Sequence, residues 1–81
     1  MQAELFHRIS EPGSARVRKL VVDRALQPLI RFRNVVYPEA MAALASHGGA
    51  ETPALWDGER FFTGEAAVTG RLLELLAGLP G

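Results

Sequence analysis

Glu51-Thr52-Pro53-Ala54-Leu55-Trp56-Asp57-Gly58-Glu59-Arg60-Phe61-Phe62-Thr63-Gly64-Glu65 decides the fold. A polar residue stands before a proline, a short strand follows, the chain turns, a second strand returns, and a glycine opens a helix. Asp57-Gly58, between Ala54-Leu55-Trp56 and Arg60-Phe61-Phe62, is the strongest local signal. Both residues tolerate positive φ, so a two-residue type I′ turn is expected there. Pro53 sits at the first position of its strand, where a missing N–H falls outside the ladder.

The helix after this hairpin starts at Gly64-Glu65, with Thr63 expected as its cap and Glu65 in its first turn. Val68, Leu72, Leu75 and Leu76 form its apolar face. Gly70 lies mid-helix, at about 1 kcal/mol relative to alanine, and is expected to allow close packing. Gly78 and Pro80 end the helix.

Upstream, Glu4 to Ile9 reads as a strand, broken by Ser10-Glu11-Pro12-Gly13-Ser14. Pro12 suits the first turn of a helix. That helix carries Val17, Leu20 and Val21 on one face, with Arg24 at the same spacing and Val22 and Leu26 widening it. It is expected to stop before Pro28, because a residue ahead of proline is pushed out of the α region. Leu29 to Tyr37 reads as a second strand, with Phe32, Asn34 and Val36 on one face and Arg33, Val35 and Tyr37 on the other. Arg31 and Arg33 mark it as an edge strand. Pro38-Glu39 opens a short helix with Met41, Leu44 and Ala45 as its stripe. His47-Gly48-Gly49 closes that helix.

The order is βαβαββα: an α/β chain with a four-stranded mixed sheet flanked by helices. A helical crossover makes the first two strands parallel, and the last two form an antiparallel hairpin. Residues 1–81 are expected to form one domain.

Composition narrows the function classes. Apolar residues make up 48% of the 81 residues, enough for a core and too many for a disordered chain. Net charge is zero, so no general attraction to nucleic acid or an anionic membrane follows. The charge is uneven: residues 1–40 balance at +3 and residues 41–81 at −3. That split reads as two solvated faces, as an anion pocket, or as a surface for homo-oligomer formation. There are no cysteines, which removes disulfides, thiolate metal sites and thiol nucleophiles. No apolar run approaches the roughly 20 residues of a membrane span. A soluble, cytoplasmic protein is expected, with no metal and no cofactor.

The order, with a proline just before the third strand, resembles the thioredoxin-like fold. In detail it is similar to glutaredoxins and to the N-terminal domain of glutathione S-transferases. Glu51-Thr52-Pro53, the hairpin and Thr63-Gly64-Glu65-Ala66-Ala67-Val68 carry the resemblance. In that family the proline is cis, and the residue before it pairs with an extended γ-glutamyl peptide, a form of strand addition. A ferredoxin-like order, βαββαβ, would need a final strand where residues 65–77 have a helical pattern.

Glutaredoxins carry C-x-x-C or C-x-x-S in the loop before the first helix. Transferases often carry Ser-Pro and an aromatic there, followed by a small residue and Arg-Val-Arg. Here the run is Glu11-Pro12-Gly13-Ser14-Ala15-Arg16-Val17-Arg18. Glu11 stands where the attacking cysteine or the transferase serine would be, and Ser14 where the second cysteine would be. The departure removes thiol–disulfide exchange, whose nucleophile is the thiolate. Transferases often show Glu-Ser-x-Ala-Ile at the helix that holds the ligand's α-carboxylate; this chain has Glu65-Ala66-Ala67-Val68. Ala66 lacks the hydroxyl but keeps its N–H.

The resemblance therefore implies a redox-inactive module binding glutathione or an extended partner peptide through Glu11, Ser14, Thr52, Pro53, Gly64, Glu65 and Ala66. A minimal transferase-like enzyme using Ser10 or Ser14 is the alternative, and a purely structural or dimerising domain is a third. Glu11 reads as a base or as a carboxylate at a helix start. Ser14 reads as a cap or as a nucleophile. Arg16, Arg18, Arg31 and Arg33 read as an anion-binding flank or as surface charge. His7 and His47 have no metal-ligand spacing, and Trp56 is expected to pack in the hairpin.

Overall fold

The hairpin register places every other strand. In a computed structural model describing residues 2–79, β3 (Ala54–Trp56) and β4 (Phe61–Thr63) pair antiparallel, with Trp56 opposite Phe61. On its other side β3 pairs antiparallel with β1 (Ala3–His7), setting Leu55 against Leu5. β1 pairs in parallel with β2 (Ile30–Asn34). The sheet has four strands in the order β2-β1-β3-β4, with β2 at an edge as its arginines indicate. The described residues also form three helices: α1 (Pro12–Asp23), α2 (Pro38–Ser46) and α3 (Glu65–Ala77). The chain is thus α/β with a four-stranded mixed sheet.

Strand alternation sends successive side chains to opposite faces, which divides the core in two. On one face Ala3, Leu5, Ile30 and Leu55 meet Val17 and Val21 of α1 and Val68 and Leu72 of α3. On the other, Phe6, Val35 and Ala54 meet Leu44 of α2. Leu75 and Leu76 pack partly buried on the first cluster, as the α3 stripe predicts.

Several expected boundaries move. β1 ends at His7 instead of Ile9, because the Arg8 N–H turns to the Ser14 side chain. α1 ends at Asp23, well before Pro28. Ala25 adopts φ 56°, the Ala25 N–H reaches the Val22 carbonyl, and the Leu26 N–H reaches the Val21 carbonyl. This is a Schellman cap, and its hydrophobic contact is Leu26 on Val21 in the core. Val22 consequently faces out, at 52% exposure, instead of widening the buried face.

β2 spans Ile30–Asn34 instead of Leu29–Tyr37. Asn34 stops it: its side-chain oxygen accepts from the Val36 N–H and its carbonyl from the Tyr37 N–H, leaving Val36 and Tyr37 exposed. α2 buries Ala40 and Leu44, with Met41 and Ala45 outside, so its stripe is rotated from the expected Met41-Leu44-Ala45. His47, at the end of α2, stacks on Trp56 at 4.3 Å and on Phe61 at 5.7 Å, which sets that phase. Gly48 takes φ 82° and closes α2 as expected.

The hairpin turn is longer than two residues. Asp57 to Arg60 connect the strands, with the Asp57 N–H bonded to the Arg60 carbonyl at 3.0 Å. Only Gly58 takes positive φ there. Gly64, at φ 95°, occupies the N-cap of α3 in place of Thr63, and no side chain caps that end. A Cβ at Gly70 would meet nothing within 4 Å, so this glycine serves no close packing. Pro80, expected beyond the last helix, lies outside the described residues.

Candidate functional site

Three chain segments meet at the end of the sheet where β1 leads into α1. The loop after β1 brings Glu11 and Ser14. The segment before β3 brings Thr52 and Pro53, joined by a cis peptide bond. The start of α3 brings Gly64, Glu65 and Ala66. Gly13 lies against the other two segments: a Cβ there would be 3.3 Å from a Glu65 carboxylate oxygen and 3.6 Å from Pro53 Cδ. The Gly64 N–H donates to the Pro53 carbonyl at 2.9 Å, tying the start of α3 to the start of β3.

Glu11 is the centre of a polar network. One of its carboxylate oxygens accepts from Ser14 Oγ and, at 2.9 Å, from Thr52 Oγ1. Thr52 Oγ1 in turn accepts from the Arg8 guanidinium at 2.7 Å. Ser14 Oγ also accepts from the Arg8 N–H at 3.1 Å. Glu11 occupies the N-cap position of α1 but makes no side-chain cap to the backbone. Ser14 is not a cap either. It is 0% exposed and lies on the buried face of α1, so its hydroxyl offers no surface to a substrate. Arg8 was not singled out by the sequence; it follows a strand and stands 44 residues from Thr52, with no local pattern to mark it.

Replacing Glu11 with alanine leaves the buried Ser14 hydroxyl and the Thr52 hydroxyl without an acceptor for their protons, and is expected to cost about 1–3 kcal/mol in urea unfolding. Glu11→Gln keeps a carbonyl oxygen as acceptor and is expected to cost well under half of that. Equal losses in the two variants would show that the charge, not the acceptor, holds the network.

The arginines divide. Arg16 holds Glu65 through two bonds, at 2.5 and 2.7 Å. That pairing sets the Glu65 carboxyl below its ordinary value and raises Arg16. Arg18 spans the His7 Nδ1 at 3.0 Å and the carbonyls of Arg8 and Ile9. Both are therefore occupied within the chain and do not stand as free anion binders. Arg33 pairs with Glu4 at 3.2 Å and lies over the Phe6 ring. Arg31 is exposed.

His7 is buried, and burial first, then the Arg18 charge, lowers its pKa below the ordinary 6.5. Arg18 can only donate, so Nδ1 accepts and the ring is neutral with its proton on Nε2. Because the folded pKa is depressed, the unfolded chain takes up the proton first. Stability is full above about pH 6.5 and falls as pH drops below it, levelling off beneath the folded value. The expected result is a urea midpoint that declines from pH about 7.5 to about 5.5, with a smaller decline in His7→Asn. An unchanged slope in that variant would remove His7 as the cause.

Two features suit a ligand's main chain. Thr52 is half-buried, and neither its N–H nor its carbonyl is hydrogen-bonded among the described residues. Beside it, the first turn of α3 has N–H groups without intrahelical partners and no side-chain cap. Among the described residues no cluster could hold a metal ion, and no helix is long and apolar enough to cross a membrane. No model of a protein family matches the chain, and no curated protein or solved structure matches it significantly.

Proposed function

We propose that this chain is a thioredoxin-like module without redox chemistry that binds glutathione, or the extended main chain of a partner peptide, along Thr52-Pro53. The observation that carries the reading is the unpaired main chain of Thr52 beside the uncapped start of α3. An extended ligand adds as a short strand at Thr52, and its carboxylate lies at the N–H groups of Glu65, Ala66 and Ala67. The order of elements, and the position of Pro53 immediately before β3, support the thioredoxin-like assignment. The Glu11–Ser14–Thr52–Arg8 network holds the Thr52 segment in place where the family's thiols would act. Burial of Ser14 counts against the Ser14 form of the transferase-like alternative, because a nucleophile needs an open face; Ser10, its other serine, is exposed.

Titration of labelled protein with millimolar glutathione, followed by amide shifts, tests the proposal. Shifts clustered at Thr52 and at Gly64 to Ala67 are expected. Their absence removes the small-molecule form and leaves the peptide form, which a library of extended peptides tests at the same amides.

A further inference from the structure

The exposed edge of β2 has an open row of main-chain groups, and their accounting shows where an added strand can bond. The Ala3 N–H bonds to the Leu29 carbonyl, and the Val35 N–H to the His7 carbonyl. In a parallel pair the residues facing the neighbour alternate with those facing away. Odd-numbered residues of this strand therefore face β1, and Ile30, Phe32 and Asn34 face outward. Two of the six outward groups are used locally: the Ile30 N–H reaches the Gln27 carbonyl and the Asn34 carbonyl accepts from Tyr37. The Ile30 carbonyl, both groups of Phe32 and the Asn34 N–H remain. Those are the four groups a short extended neighbour, running in either direction, uses when it pairs with Phe32 directly and bonds once on either side.

The side chains say what that neighbour carries. Phe32 and Arg31 are exposed, and Arg31 makes no ion pair among the described residues. A groove along the edge is lined by His7, Arg31, Phe32, Arg33, Tyr37 and Glu39. Glu4, across from Arg31 in the sheet, pairs with Arg33 instead, so Arg31 is the cation of the strand without an ion pair among the described residues; Glu39, also exposed, is the acidic member of the groove. A second copy of this chain fits poorly: two β2 strands paired antiparallel about Phe32 set Arg31 opposite Arg33, and like charges directly opposite are destabilising. At the other edge, β4 has only three residues.

We infer that the β2 edge is a docking site for an extended acidic segment of another protein. That segment adds as a further strand alongside Ile30–Asn34, with a carboxylate against Arg31 and an apolar side chain against Phe32. This surface is separate from the Thr52 site, and its occupation does not depend on glutathione binding.

The probe is a short capped peptide alternating glutamate and valine, with a lysine-for-glutamate version as control, titrated into the labelled full chain. Shifts at the Phe32 and Asn34 amides are expected with the glutamate peptide, and they are distinguishable from shifts at Thr52 and Gly64 to Ala67. Arg31→Glu is expected to weaken the glutamate peptide about fivefold and to favour the lysine peptide. Phe32→Pro removes one outward donor without touching the bonds to β1, so a folded variant is expected to lose binding. Equal response to both peptides, undiminished binding by Arg31→Glu, shifts confined to the Thr52 site, or self-association that protects the Phe32 amide would each overturn the inference.

Discussion

Asp57→Ala is expected to lower the unfolding free energy by about 3 kcal/mol, read as a fall in the urea midpoint at unchanged slope. Asp57 is 2% exposed, yet it is charged. Three donors make this tolerable. One carboxylate oxygen accepts from the Glu59 N–H at 2.8 Å and the Arg60 N–H at 2.6 Å; the other accepts from Arg71 Nε at 2.9 Å. Alanine removes all three bonds at once. It unties the hairpin turn and leaves the Arg71 guanidinium, at 20% exposure, with the distant Glu74 at 3.9 Å as its ion-pair partner among the described residues. Removing one partner of a buried pair costs about 3–5 kcal/mol, and the low end applies because Arg71 keeps some water. Asp57→Asn retains an acceptor for the turn and is expected to cost about half as much. A loss below about 0.5 kcal/mol in Asp57→Ala would remove Asp57 as the clamp between the hairpin and α3.

The same residue fixes a pH dependence. Burial pushes the Asp57 carboxyl up, but the Arg60 and Glu59 N–H groups and the Arg71 guanidinium outweigh it and set it below the ordinary 3.8. The folded pKa is depressed, so this contribution is present above that ordinary value and is lost as pH falls through the folded one. The acid side of the stability profile is expected to flatten in Asp57→Asn. His7 acts nearer neutrality, so the two residues are separable by the pH range in which their variants differ from the parent.

What was legible in the sequence follows from where each signal lives. Asp57-Gly58 correctly placed the chain reversal, because glycine and aspartate mark turns locally. The turn's length was misjudged: the Asp57 side chain accepts from the Glu59 and Arg60 N–H groups, which makes a four-residue connection where a two-residue turn is expected. The end of α1 was missed for a related reason. An alanine in the left-handed region costs about 1 kcal/mol and gives no local sign. Ala25 adopts it because Leu26 is thereby delivered to the core. The phase of α2 was misread because its apolar residues permit more than one stripe, and the stack of His47 on Trp56 chooses between them. At the site, the resemblance aligned Glu11, Ser14 and Thr52, and the fold brings those three side chains into one network. Arg8 belongs to the same network but could be found only from the fold, since only the sheet places the end of β1 beside Thr52.

The two faces of the sheet predict unequal local stability, and Phe6 is where this shows most. Among the described residues, the cluster beneath α1 and α3 has nine buried members, whereas the one beneath α2 has four. Phe6 is the largest side chain in the smaller cluster and is fully buried. It touches Val35, Leu44 and Ala54, meets the His47 ring edge-on at 6.0 Å, and carries the Arg33 guanidinium over its face. Phe6→Ala is expected to cost about 3–5 kcal/mol, the usual cost of emptying a buried phenylalanine site. A chain of this size has roughly 4–12 kcal/mol in total, so the loss is a large fraction of it. The loss is also expected to be uneven. With so few other buried members on that face, α2 opens locally before the whole chain unfolds. Amide exchange in α2 should therefore accelerate at lower denaturant than exchange in α1 and α3, whose cluster Phe6 does not enter. Phe6→Leu refills most of the volume and should restore much of the α2 protection. If Phe6→Ala speeds exchange equally in all three helices, the sheet transmits the loss from one face to the other and the two clusters behave as one core.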